Sequence, residues 1–113
     1  MIKIYHNPRC AKSREGLALL ESSGISYETI LYLEEVPKEN ELKAILKKLG
    51  YTPLQLIRSN EPIWKAHFKG KNLNDDELIA AMIKHPKLIE RPIVITETSA
   101  VVGRPTEKIR ELF

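Results

Sequence analysis

The amino-acid sequence predicts an α/β fold: a mixed four-stranded sheet with a helical block inserted between its two halves. Three features carry that expectation. Short β-prone runs bracket a helix-forming stretch at the start, helical periodicity dominates residues 38–86, and two more β-prone runs followed by a helix close the chain.

Ile2 to Tyr5 is a β-prone run ended by Asn7-Pro8, and Ala11 to Ser23 then reads as a helix closed by Gly24. A second run, Tyr27 to Leu31, follows after a tight connection, so the first third forms a βαβ unit with parallel strands. Leu42, Ile45, Leu46 and Leu49 make the apolar stripe of a helix ended by Gly50. Thr52-Pro53 caps and opens a short helix through Ile57. Asn74 with Glu77 three residues on marks another helix start, whose buried face is Leu78, Ile79, Met82 and Ile83, up to His85-Pro86. Ile93-Val94-Ile95 and Ala100-Val101-Val102, joined across Glu97-Thr98-Ser99, suit a hairpin. A last helix starts near Pro105 and packs Ile109, Leu112 and Phe113. This order, βαβ then helices then ββα, is thioredoxin-like with an insertion.

With 113 residues and 42% apolar content the chain suits one domain, residues 1–113, able to bury a core without staples. Its net charge of +3 is spread along the chain, which argues against a nucleic-acid module and slightly favours anionic ligands. The single cysteine, Cys10, cannot form an internal disulfide and fits a reducing compartment. The N-terminal run lacks the apolar core of a signal peptide, and no run approaches membrane-spanning length. A monomeric cytoplasmic protein without membrane attachment is the expectation.

Chemistry concentrates in His6-Asn7-Pro8-Arg9-Cys10-Ala11-Lys12-Ser13-Arg14. A free thiol near its reference pKa of ~8.5 is only a few per cent thiolate at pH 7, so a cysteine nucleophile needs a positive field. Here the first-turn amides of a helix point back toward Cys10, and Arg9, Lys12 and Arg14 lie within four residues of it. A drop of ~2 units would make the thiolate the majority form. His6, across the turn, is expected to add charge or a hydrogen bond. Helix N-terminal amides beside a guanidinium also bind tetrahedral oxyanions, so nucleophile and anion cradle coincide. The same residues also describe a small apolar cysteine at a strand end beside a solvated basic face, a reading that local sequence favours less but leaves open. Elsewhere, His67 and His85 have no partner at metal-ligand spacing, so no metal site is expected. Trp64 and Phe68, four apart, read as one packed helical face. Asp75, Asp76 and Glu77 read as first-turn carboxylates.

The pattern His6-Asn7-Pro8-x-Cys10-x-x-Ser13-Arg14 resembles the signature of the glutathione- and glutaredoxin-coupled (ArsC-type) arsenate reductases. The resemblance continues through Leu56-Ile57-Arg58, Ile89-Glu90-Arg91-Pro92-Ile93-Val94 and Gly103-Arg104-Pro105-Thr106-Glu107, nearly the whole chain. It implies a thioredoxin-like fold and reduction of arsenate to arsenite through a covalent Cys10 adduct. It further implies catalytic roles for Cys10, His6 and Arg14, with Ser13, Arg58, Arg91 and Arg104 around the oxyanion. No cofactor would be bound, and glutathione and glutaredoxin would serve as external reductants. Taken singly, Arg58 also reads as an exposed helix-end residue, Arg91 as a partner of Glu90, and Arg104 as a turn residue. Thioredoxin-like folds carry a cis-proline before the third strand, so the Arg91-Pro92 bond is expected to be cis.

Two other functions are consistent with that fold. One is a glutathione-linked thiol oxidoreductase with a different substrate, since Arg9 and Lys12 add bulk and charge at variable positions of the signature. The other is a regulator resembling the Spx type that binds RNA polymerase. Redox-sensing members of that type carry Cys-x-x-Cys, whereas the second position here is Ser13.

Overall fold

The computed structural model describes residues 1–113. The chain divides into two compact units, one made of Met1–Glu35 with Arg91–Phe113 and the other of Val36–Glu90.

The first unit holds the sheet. Strand β1 (Ile2–Tyr5) is followed by helix α1 (Ala11–Ser23) and strand β2 (Tyr27–Ile30). After the second unit the chain returns as β3 (Ile93–Ile95) and β4 (Ala100–Val102). The strand order is β2-β1-β3-β4, mixed as expected: β1 and β2 run parallel, with Ile4 opposite Thr29, while β1–β3 and β3–β4 are antiparallel, with Ile4 opposite Val94 and Val94 opposite Val101. Ile2 and Ile4 share one face of β1 and meet Val94, Leu20 of α1 and Ile109 in one buried cluster.

Helix α1 shows how local sequence sets the site. Its buried stripe is Ser13, Gly16 and Leu20, small near the Cys10 end and large further on, so that end comes close to what it covers. Gly24 closes the helix at φ 75, a left-handed value that favours glycine, and its N–H donates to Glu21 O.

In the second unit, α2 (Glu39–Leu49), α3 (Pro53–Leu56), α4 (Pro62–His67) and α5 (Asp75–Lys84) precede a 3₁₀ segment, Pro86–Leu88. The stripes of α2 (Leu42, Ile45, Leu46) and α5 (Leu78, Ile79, Ala81, Met82) are buried, and α5 packs on α2, α3 and the 3₁₀ segment. Asn74 Oδ1 accepts from Glu77 N–H at 2.9 Å while Glu77 Oε1 accepts from Asn74 N–H at 3.0 Å, the reciprocal cap expected from their spacing. Trp64 stacks on Phe68 with centroids 5.6 Å apart, and Phe68 meets His85 edge-on, so these aromatics pack on one another as their spacing indicates.

The structure departs from expectation at three element ends. β2 stops at Ile30, one residue early. α3 stops at Leu56, because Ile57 leaves the helix to bridge Ile89 in antiparallel fashion. The last helix begins at Thr106, runs as a 3₁₀ helix to Leu112, and leaves Phe113 49% exposed. Pro105 is extended (ψ 161) and supplies the carbonyl for Lys108 N–H, a three-residue bond of the 3₁₀ type, and Ile109 alone of the segment is fully buried. The Arg91-Pro92 bond is cis as expected, and Arg104-Pro105 is also cis. No helix is long and apolar enough to cross a membrane.

Candidate active site

The site begins where β1 runs out. His6 N–H donates to Ile30 O at 2.9 Å, extending the β1–β2 ladder by one residue and burying the imidazole to 5% exposure. The chain then reverses. Cys10 N–H donates to Asn7 O at 3.0 Å and Arg9 N–H donates to Asn7 Oδ1 at 3.0 Å, a turn closed by the backbone and side chain of one asparagine. Cys10 occupies the N-cap of α1 with extended backbone (φ −96, ψ 123), its carbonyl accepting the first helical N–H, from Arg14. Its side chain makes no capping bond, which leaves the half-buried thiol for other work.

Ser13 fixes this turn from below. Fully buried, it accepts from Asn7 N–H at 2.9 Å and shares a 2.6 Å hydrogen bond with His6 Nδ1. A hydroxyl has one donor and two acceptor positions, so a Ser13 O–H aimed at a neutral Nδ1 satisfies both contacts. Expected among the anion-binding residues, Ser13 has no exposed surface with which to meet an anion. It organises the turn that carries Cys10.

His6 contributes a hydrogen bond rather than charge. Burial drives its proton affinity down from the ordinary value, the Ser13 contact pulls it partly back, and the Arg14 charge lowers it further. The folded pKa therefore lies below the unfolded value of ~6.5. The folded state resists protonation where the unfolded chain accepts it, so the stability tied to the neutral ring is present above the unfolded pKa and is lost as pH falls through the folded one. Urea denaturation between about pH 7.5 and pH 5 is expected to show a loss of stability in the wild type that His6→Gln does not share. Parallel pH slopes in the two proteins would show that another group titrates.

The cations around the thiol are arranged differently from their order in the sequence. Arg14 Nη1 donates to Pro8 O at 2.9 Å and braces the turn. Lys12 pairs with Glu15 at 3.2 Å with both side chains about half exposed, a contact worth little. The guanidinium at the sulfur is that of Arg104, whose Nη2 lies 3.5 Å from Cys10 Sγ while its Nε donates to Arg91 O at 2.8 Å. One arginine thus spans from the β3 entry to the N-cap of α1. No acidic residue occupies the first turn of α1 to offset this field. Arg91 is half-buried one residue before Pro92 and gives its carbonyl to Arg104.

Arg58 lies in the second unit. It is held by Glu90 (Nε to Oε1, 3.5 Å) and Glu61 (Nη1 to Oε2, 3.7 Å), and its N–H donates to Leu88 O at 2.7 Å.

Cys10, Arg104, the Arg91 carbonyl and an open helix N-terminus therefore converge within the first unit. A model of the ArsC family matches residues 5–112. The chain belongs to the ArsC family. Among its relatives, the uncharacterised Escherichia coli protein YfgD is 43% identical over 98% of this chain and 95% of that protein. The arsenate reductase of Neisseria meningitidis serogroup B is 46% identical over 99% of this chain and 97% of that protein. The structure of an arsenate reductase from Vibrio cholerae, 47% identical, superposes with a TM-score of 0.94 over 99% of this chain and 97% of that one. The thioredoxin-like architecture and the ArsC resemblance carried by the Cys10 and arginine segments thus agree with the comparisons. The Thr106–Glu15 contact (3.2 Å), which joins the C-terminal segment to α1 beside the site, has no signature in the sequence, because its partners are 91 residues apart and neither belongs to the motif around Cys10.

Proposed function

We propose that this ArsC-family chain reduces arsenate to arsenite, with Cys10 as nucleophile and glutathione and glutaredoxin as electron donors. The observation that carries the proposal is the Arg104 guanidinium 3.5 Å from Cys10 Sγ, at the open end of α1. A cation and helix amides around one sulfur favour its thiolate and equally attract an oxyanion.

In this reading the Cys10 thiolate attacks arsenic and an arsenate oxygen leaves as water, forming a sulfur–arsenic bond. Glutathione thiolate then attacks the Cys10 sulfur. The sulfur–arsenic bond breaks with its electron pair passing to arsenic, which departs as arsenite, and a Cys10–glutathione disulfide remains. A glutaredoxin thiol reduces that disulfide. Since the chain has one cysteine, the second sulfur must come from outside. Arg104 neutralises both the thiolate and the incoming anion, Arg91 is assigned to the arsenate oxygens, Arg14 braces the turn, and His6 with Ser13 orients it. A glutathione-containing reducing compartment, the cytoplasm, suits this chemistry, and a monomer suffices for it.

The test is NADPH oxidation coupled through glutathione reductase, glutathione and glutaredoxin. The expected result is oxidation that depends on arsenate and stops when glutathione or glutaredoxin is withheld. Turnover of glutathione mixed disulfides without arsenate turnover would shift the assignment to another oxidised substrate of the same site. Absence of both, with capture of RNA polymerase, would favour the regulatory reading.

A further inference from the structure

Two glycines lie beneath the site, one on α1 and one just after β4, and both face the same two side chains. A Cβ built on Gly16 would stand 3.0 Å from Pro92 Cγ and 3.1 Å from Ile109 Cδ1. A Cβ on Gly103 would stand 3.0 Å from each of those atoms. Neither glycine has a positive φ, so backbone conformation does not require glycine at either position; the space does. Pro92 and Ile109 are fully buried, leaving them little room to retreat.

What the close approach fixes is the frame of Arg104. Gly103 N–H donates to Pro92 O at 2.9 Å, and the next residue, Arg104, donates through Nε to the carbonyl of Arg91, the residue before Pro92. The segments 91–92 and 103–104 are thus clamped side by side, and Arg104 extends from that clamp to the sulfur. Gly16 lies on the buried stripe of α1, the helix whose N-cap is Cys10. We propose that Gly16 and Gly103 are positioning residues: by admitting the Pro92 ring and the Ile109 side chain they set the distance between the Arg104 guanidinium and Cys10 Sγ.

An added methyl at either glycine presses on both the Pro92 ring and Ile109 Cδ1, shifts the clamped 91–92 and 103–104 segments against α1, and loosens the guanidinium from the sulfur. The inference rests on Cys10 being the reacting atom, as proposed above, but its test needs neither arsenate nor a reductant. The rate of Cys10 alkylation by iodoacetamide is followed across pH in Gly16→Ala, Gly103→Ala and each of these combined with Ile109→Val, which removes the Cδ1 atom in the way. Both single variants are expected to react about threefold to tenfold more slowly at pH 7, because the guanidinium 3.5 Å from the sulfur no longer favours the ionised form that attacks the reagent. Ile109→Val alone is expected to keep the wild-type profile and, in combination, to recover part of the loss. Gly16→Ala is expected to fold, alanine being the better helix former, so it decides the matter if Gly103→Ala does not. A folded Gly16→Ala protein with a wild-type profile, or no recovery with Ile109→Val, would overturn the proposal. Failure of the arsenate assay would leave these alkylation results standing.

Discussion

Replacing Cys10 with serine is expected to lower arsenate-dependent turnover by about a thousandfold or more while leaving the protein as stable as before or slightly more so. The two halves of that expectation come from one position. As N-cap of α1, Cys10 makes no side-chain capping bond, whereas serine is among the preferred N-cap residues and can accept from the amides of Lys12 or Ser13. Such a cap adds up to about 1 kcal/mol of helix stability. The chemistry, in contrast, depends on an ionised sulfur that bonds to arsenic and then accepts attack from a second thiol, and a hydroxyl does neither at neutral pH. Activity and stability should therefore separate in one variant. Coupled NADPH oxidation and thermal denaturation measured on the same preparation check both, and turnover above a few per cent of wild type would remove Cys10 from the mechanism.

The parts of this molecule that could be read in advance are those whose causes are local. α1 runs over the expected residues because helix-forming residues end at a glycine that adopts φ 75, and α5 begins where Asn74 and Glu77 can cap each other. The hairpin of β3 and β4 follows from two β-prone triplets and a short polar loop. What escaped sequence reading depends on contacts between distant segments. Lys12 and Arg14 stand next to Cys10 in sequence, yet Lys12 turns to Glu15 and Arg14 to the Pro8 carbonyl. The cation that touches the sulfur, Arg104, comes from 94 residues away and was reached in the sequence only through the family resemblance. Ser13 was legible as part of a motif, but only its burial shows that its hydroxyl is consumed by His6 and Asn7. Gly16 gave no signal and Gly103 only its place in a segment that resembles the family, since a glycine required for space rather than for φ looks like any small residue until its neighbours are known.

The second large effect is expected at Arg104. Its guanidinium makes two contacts in different directions, Nε to the Arg91 carbonyl at 2.8 Å and Nη2 to Cys10 Sγ at 3.5 Å, which a planar fork of fixed donors can do and a point charge cannot. Arg104→Gln removes the charge beside both thiolate and oxyanion. A fall in kcat/KM of about 100-fold to 1000-fold is expected, the range found when one preorganised donor is lost from an oxyanion site. Arg104→Lys restores the charge but not the fork, and about tenfold of that loss should remain. The division of the loss identifies what Arg104 does. If it serves only arsenate, KM rises, kcat holds, and iodoacetamide alkylation of Cys10 in the absence of arsenate proceeds at the wild-type rate. If it also favours the ionised sulfur, as its 3.5 Å contact with Cys10 Sγ suggests, alkylation slows in Arg104→Gln and recovers in Arg104→Lys. Wild-type alkylation in Arg104→Gln would confine this arginine to the substrate.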